Sequence, residues 1–358
     1  MYRVCIISCG MIANSAHIPA YNNFPDDFEI IGVCDTNPEA AMGTAKRHGV
    51  KNYYTDAEKM LDELRPDVVS VCVPNFLHKK MTMLSLLHGC NVICEKPLAY
   101  TVSDAIEMFS LAKSKGVTLM ACQSMRFTPD RLAAKKLIDD GKMGRIYYGE
   151  FSRIRRRGIP TWGTFHIRKF SAGGAFLDLG VHMLDAIVWL TGNPKLRSVC
   201  ATMGKYHADE IGTLTESGAR TGKVHIIRKF TSEEMDVEDF SSGSLLFEND
   251  IRINFTVAWA ANMPEASDIR IIGKNTGIYL PECKVFSGID KEKNIPEEEL
   301  RYKNEAFPGH FYIMDNLRKV LKGKELPIVT PEETINVTRI IENVYKSARI
   351  GKEIIVSD

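Results

Sequence analysis

Asp178, His182 and Asp185 fall at i, i+4 and i+7 in the stretch "GGAFLDLGVHMLD" (173–185). At about 3.6 residues per turn they share one face of a helix that is otherwise apolar. Three kinds of chemistry suit that stripe. A histidine, with an ordinary pKa of about 6.5, can take or give a proton near neutral pH, and an acid one turn away can orient the ring or stabilise its charged form. An Asp–His pair on an apolar helix is equally a satisfied buried pair. The same side chains can share a metal ion, but an ion needs further ligands, and only isolated candidates such as His166 lie nearby in sequence. No metal is expected.

Two further constellations carry chemistry. Lys96 in "CEKPL" (94–98) precedes Pro97, which biases it away from helical backbone angles and offers its ammonium at the end of an apolar run. The run "RIRRRG" (153–158) places Arg153, Arg155 and Arg157 on one face of a strand with Arg156 opposite. With Arg126, these arginines read either as a clamp for a phosphate or carboxylate, or as a solvated strand end or interface salt bridges. Trp162 and His166 are the nearby candidates for stacking or polar contact with the same substrate.

The elements that must position these groups are legible from periodicity. β-branched runs at 4–8, 29–35, 67–74, 91–96 and 118–123 alternate with helical stretches at 56–64, 78–89 and 102–116. Gly89 and Gly116 stand where helices should stop. Continuous apolar strands alternating with amphipathic helices predict an α/β fold, a doubly wound parallel sheet covered on both faces. Its ligands belong at the carboxyl ends of the strands.

The first strand-to-helix turn, "SCGMIA" (8–13), occupies the place of a dinucleotide-binding G-x-G-x-x-G/A. Ser8 stands where the first glycine normally does, Gly10 permits close backbone approach to a pyrophosphate, and Met11 and Ile12 follow it into the helix. Asp35 closes the second strand, where an acid bonds an adenosine ribose and repels a 2′-phosphate; NAD is expected in preference to NADP. Pro74, Asn75 and His78 of "PNFLH" close the third strand, Glu95 and Lys96 the fourth, and Gln123 the fifth. All are assigned to the cofactor crevice.

From about residue 123 the pattern changes to runs of strands (145–155, 195–204, 243–250, 251–260, 268–273 and 277–283), with a hairpin turning at Asn249–Asp250. A C-terminal α+β domain with a large open, mostly antiparallel sheet is expected over 123–358, after a Rossmann domain over 1–122, with the closing helix able to pack back on the first domain. The polar segment 205–240 reads as a long loop or insertion.

Composition narrows the function classes. With 46 basic and 45 acidic side chains the net charge is +1, so neither nucleic acid nor a membrane surface is an expected partner. Nine cysteines without a C-x-x-C pair suit buried thiols in a reducing compartment. With no signal peptide at the start and no run approaching a membrane span, a cytoplasmic location is expected.

"PN…H", "EKP" and the D-x-x-x-H of Asp178 and His182, taken together, resemble the Gfo/Idh/MocA family of glucose–fructose oxidoreductases and inositol dehydrogenases. The segments 126–154, 173–192 and 331–354 are similar to its linker helix and first C-terminal strand, its catalytic helix and its closing helix. The resemblance implies an NAD-dependent oxidoreductase acting on a secondary hydroxyl of a sugar, sugar derivative or cyclitol. Lys96 would then lie near both nicotinamide and substrate, with Asp178 and His182 as the catalytic acid and histidine, and His182 as general base. It also implies a homodimer or homotetramer built through the C-terminal sheet. Two other readings use the same residues: a non-redox enzyme that holds NAD tightly for transient oxidation, and a catalytically silent NAD-binding regulator.

Overall fold

A computed structural model describes residues 1–160, 163–209, 231–288, 292–294 and 306–356. The chain divides into two compact units, Met1–Ser124 with Asn304–Ile335, and Met125–Lys303 with Asn336–Asp358.

The first unit is a six-stranded parallel sheet of β1 (Tyr2–Ile7), β2 (Phe28–Cys34), β3 (Asn52–Tyr54), β4 (Val68–Val71), β5 (Asn91–Cys94) and β6 (Leu119–Ala121). Its order is β3-β2-β1-β4-β5-β6, so the winding reverses between β1 and β4. Every residue of β4 is buried, because helices cover both faces; that is why the strand reads as unbroken apolar sequence rather than as an alternation. The three-residue β3 is too short to leave a periodic signature. Helix starts follow side-chain chemistry: Asn37 accepts from the Glu39 N–H at 3.0 Å, Asp56 from Lys59 at 2.9 Å and Thr101 from Asp104 at 3.0 Å. Gly116, at φ 66°, ends the helix Val102–Lys115 in the left-handed conformation. The helix Pro308–Leu321 also belongs to this unit. Gly309 lies so close to the Ser124 carbonyl oxygen that a Cβ there would be 1.9 Å from it.

The second unit holds a nine-stranded sheet of β7 (Ile146–Ile154), β8 (Leu196–Gly204), β9 (Phe240–Phe247), β10 (Arg252–Ala258), β11 (Ala266–Gly273), β12 (Gly277–Leu280), β13 (Lys284–Phe286), β14 (Glu292–Asn294) and β15 (Ile354–Ile355). The order is β14-β13-β12-β11-β7-β10-β9-β8-β15. The β7–β10 pair is parallel and the other ladders are antiparallel. The β9–β10 hairpin turns with Asp250 at φ 61°. Part of the expected insertion, 210–230, lies outside the described residues; β9 itself begins at Phe240.

One face of this sheet packs on the helix Val181–Leu190, with Phe151 stacked on Phe255 at 5.6 Å and Phe176 against Phe255 at 5.0 Å. The stretch Arg168–Leu190 corrects the sequence reading, since it is long and apolar enough for a membrane span. In this protein most of it is buried, so its apolarity answers to protein rather than lipid.

The two glycines that open this stretch are required by close approach. A Cβ on Gly173 would lie 2.0 Å from the Tyr345 hydroxyl, and one on Gly174 would lie 1.9 Å from the Glu238 carbonyl oxygen. Gly174→Ala is therefore expected to destabilise the protein by about 1–3 kcal/mol, lowering Tm by several degrees in a thermal melt. Gly43→Ala, in open space inside the helix Pro38–His48, is the control and should leave Tm unchanged or raised. Equal melts for the two variants would contradict the packing described.

Candidate active site

In the first unit the candidate residues lie at strand ends. Ser8 adopts φ 83°, the backbone region for which glycine is normally chosen, so the departure from the glycine pattern is a change of side chain with the turn kept. Its hydroxyl lies 3.4 Å from Asp35 Oδ2, and the Cys9 N–H donates to the same oxygen at 2.8 Å. The Asn37 N–H donates to Oδ1 at 2.9 Å. Asp35 is thus held rigidly beside the turn by two backbone donors. A Cβ on Gly10 would meet only Ser8 Oγ, at 3.8 Å, and Met11 is exposed with Ile12 half-buried. Open space over Gly10, a chain entering a helix and a fixed acid one strand away fit a dinucleotide with a free 2′-hydroxyl.

Pro74 is exposed and Asn75 half-buried at the close of β4. His78 corrects the expectation: it is 1% exposed, with Nδ1 2.6 Å from the Pro97 carbonyl oxygen and Nε2 3.0 Å from that of Val73. Both ring nitrogens are committed to backbone carbonyls, so His78 fixes the turns on either side and has no nitrogen to offer a cofactor. Burial pushes its pKa down, against the pull of Pro97 O.

Glu95 is corrected in the same way. Its Oε1 lies 2.9 Å from His17 Nε2 and 3.1 Å from His310 Nε2. Burial pushes the carboxyl up, but the bonds from the two imidazoles outweigh it and hold Glu95 well below the usual carboxylate range. Burial in turn pushes His17 down, and Glu95 is a carboxylate bonded by both rings. It anchors the turn that presents Lys96, which is half-buried and joined to Pro97 by a cis peptide. Gln123 is 3% exposed, and its Oε1 has no hydrogen-bond partner among the described residues.

In the second unit the candidate residues lie on a helix. A wide turn over Phe176–Gly180, closed by the Val181 N–H on the Phe176 carbonyl, runs into the regular helix Val181–Leu190. The stripe holds two environments, and Asp185, furthest from the helix start, takes the structural one. Asp178 and His182 are half-buried, whereas Asp185 is 1% exposed. The Trp259 Nε1–H donates to Asp178 Oδ2 at 3.0 Å, fixing that carboxylate. Trp259 was missed by sequence reasoning, because nothing local in "AWA" (258–260) signals a partner 81 residues away.

Arg126 is the third correction. It is 1% exposed and grips Asp185 bidentately, Nε to Oδ2 at 2.7 Å and Nη2 to Oδ1 at 2.6 Å. That guanidinium neutralises a buried carboxylate instead of waiting for a substrate anion. His166, also 1% exposed, faces Glu234 Oε2 at 3.5 Å and is likewise interior. Arg155 bonds the Gly158 carbonyl at 3.2 Å, and Arg157 reaches the Arg156 carbonyl at 2.7 Å and Asn262 Oδ1 at 2.6 Å; both bind the strand end's own backbone and neighbours. Arg153 lies within the electrostatic reach of Asp178, its pKa pushed down by burial and by Arg155 and Arg131. Trp162 lies outside the described residues.

Residues 2–123 match the family model described as "Oxidoreductase family, NAD-binding Rossmann fold", and residues 132–279 match the GFO/IDH/MocA C-terminal domain. The chain is 29% identical to D-glucoside 3-dehydrogenase of Escherichia coli K12 over 355 residues, 98% of this chain and 97% of that protein. It is 28% identical to levoglucosan dehydrogenase of Pseudarthrobacter phenanthrenivorans, over 60% of this chain and 56% of that one. Among solved structures, WlbA dehydrogenase from Bordetella pertussis in complex with NADH and UDP-GlcNAcA superposes with a TM-score of 0.78 at 21% identity, covering 100% of this chain and 99% of that one. At that identity the likeness concerns the fold.

Arg126→Met leaves Asp185 buried and unpaired, at an expected cost of about 3–5 kcal/mol in urea unfolding. Adding Asp185→Leu removes the orphaned charge and should recover most of that loss. A raised KM with unchanged stability in Arg126→Met would instead return Arg126 to substrate binding.

Proposed function

The chain belongs to the GFO/IDH/MocA oxidoreductase family, and from that premise we propose that it moves a hydride between NAD and a secondary hydroxyl of a sugar, sugar derivative or cyclitol, with His182 as general base. The observation that carries this reading is the contrast within one helix. Asp185 is sealed by Arg126, while Asp178 and His182 are half-buried, with Asp178 fixed by Trp259. The substrate class is supported by the relatives named D-glucoside 3-dehydrogenase and levoglucosan dehydrogenase.

NAD, when bound, supplies the hydride acceptor. His182 takes the hydroxyl proton as the carbon–hydrogen bond breaks, a task for which histidine is the usual side chain. Asp178, held by the Trp259 indole, orients that ring or a substrate hydroxyl and favours the imidazolium. Lys96 supplies positive charge for the oxygen as it becomes an alkoxide; a preorganised donor of this kind is worth about 3–4 kcal/mol. Asp35 accepts from the ribose hydroxyls and repels a 2′-phosphate.

The test is a panel of glucosides, anhydrosugars and cyclitols scored for NADH formed per sugar oxidised. With the best substrate, His182→Ala should lower kcat by about a hundredfold or more while NAD still binds; near-normal turnover would return the helix to a structural role. Asp35→Ala should weaken NAD binding and relax discrimination against NADP, and an unchanged preference would assign the ribose to another residue.

A further inference from the structure

Four metal-ligating side chains meet inside the first unit, and the proposed reaction uses none of them directly. His17 ends the turn Ala13–His17, Glu95 follows β5, Cys122 follows β6, and His310 lies on the helix Pro308–Leu321. One ligand atom from each lies within 4.8 Å of all the others, and all four residues are buried. Glu95 Oε1 stands 2.9 Å from His17 Nε2 and 3.1 Å from His310 Nε2. Ligand atoms around a tetrahedral zinc, with bonds of about 2.0–2.3 Å, are separated by roughly 3.3–3.7 Å. The set therefore closes on an ion with shifts on the order of 1 Å.

We propose that His17, Glu95, Cys122 and His310 form a closed four-ligand site for zinc(II). The residue types suit the ion: one thiolate and one carboxylate neutralise its two charges, and two imidazoles complete the tetrahedron, so the buried site carries no net charge. Protons balance as well. Cys122 releases its thiol proton to solvent. Each imidazole turns the Nε2 lone pair to the metal and carries its proton on Nδ1. For His17 that proton has an acceptor in Ser70 Oγ at 3.1 Å, which is itself 2.9 Å from the Tyr21 hydroxyl. This is the outer hydrogen bond that orients a ligating histidine. His310 Nδ1 has no such partner among the described residues, so the outer bonds are built on the His17 side. With all four positions taken by protein, the ion is structural: it ties the strand end carrying Lys96 to β6, the first helical turn and the returning helix. This inference is independent of the NAD reading.

The full chain, expressed with zinc and dialysed, is expected to carry one zinc per chain by elemental mass spectrometry, falling to a small fraction in Cys122→Ser and in His310→Gln. Cobalt(II) in place of zinc should give a thiolate-to-cobalt charge-transfer band. Cys122→Ser should abolish that band, whereas Cys200→Ser, which alters an exposed thiol, should keep it. Should either ligand variant fail to fold, the wild-type chain decides: stripping zinc with a chelator should lower Tm and adding zinc back should restore it. No zinc above background after dialysis against it, stoichiometry retained in both ligand variants, or a Tm indifferent to stripping would each overturn the site.

Discussion

A carboxylate can sit in the middle of a helix packed on nearly every side only if its charge is matched on the spot. Asp185 is matched by the bidentate guanidinium of Arg126, both groups 1% exposed. Much of the second unit follows from that pairing. It holds the segment that follows Ser124 against the buried helix, and Arg126 also lies over the Trp189 ring at 5.9 Å. Because the pair consumes one acid of the stripe, the remaining polar groups are Asp178 and His182, one fixed by an indole and both half-buried. The glycines at the start of the helix let Glu238 and Tyr345 close over it. Apolar packing supplies the rigidity, and the ion pair decides which acid is spent on structure.

The first unit solves a different problem. A parallel sheet gathers all its strand ends at one edge, where polar turns must be held without neighbouring strands to pair with. Each turn is anchored by hydrogen bonds: the first by the Cys9 and Asn37 N–H groups on Asp35, Pro97 through the buried His78, and the Lys96 turn through the buried Glu95 on His17 and His310. Of the groups left partly open at this edge, Asn75 and Lys96 are placed by the buried His78 and Glu95, and Gly10 by the turn held on Asp35.

What was legible in the sequence is what short-range physics dictates. Five of the six parallel strands, the capped helices and the antiparallel character of the second sheet follow from periodicity and turn residues; β3 escaped because three residues carry no period. Four expectations meet one obstacle. Arg126, Glu95, His78 and His166 are polar and near a motif, which points them at a ligand in the sequence, but each is buried against a partner that the sequence does not locate. Asp185 lies 59 positions from Arg126, and His310 lies 215 from Glu95. A separation of 81 positions hides the indole on Asp178 in the same way. Ser8 was legible as an anomaly, and its positive φ gives the reason glycine is usual there.

The most direct test of the account follows the hydride itself. A sugar that turns over, deuterated at its ring carbons, would be incubated with the full chain and NAD, and the nicotinamide product analysed by mass spectrometry. One deuterium in the reduced cofactor is expected for each sugar oxidised. Sugar conversion with no deuterium in the cofactor pool would contradict it and make the protein something other than a dehydrogenase.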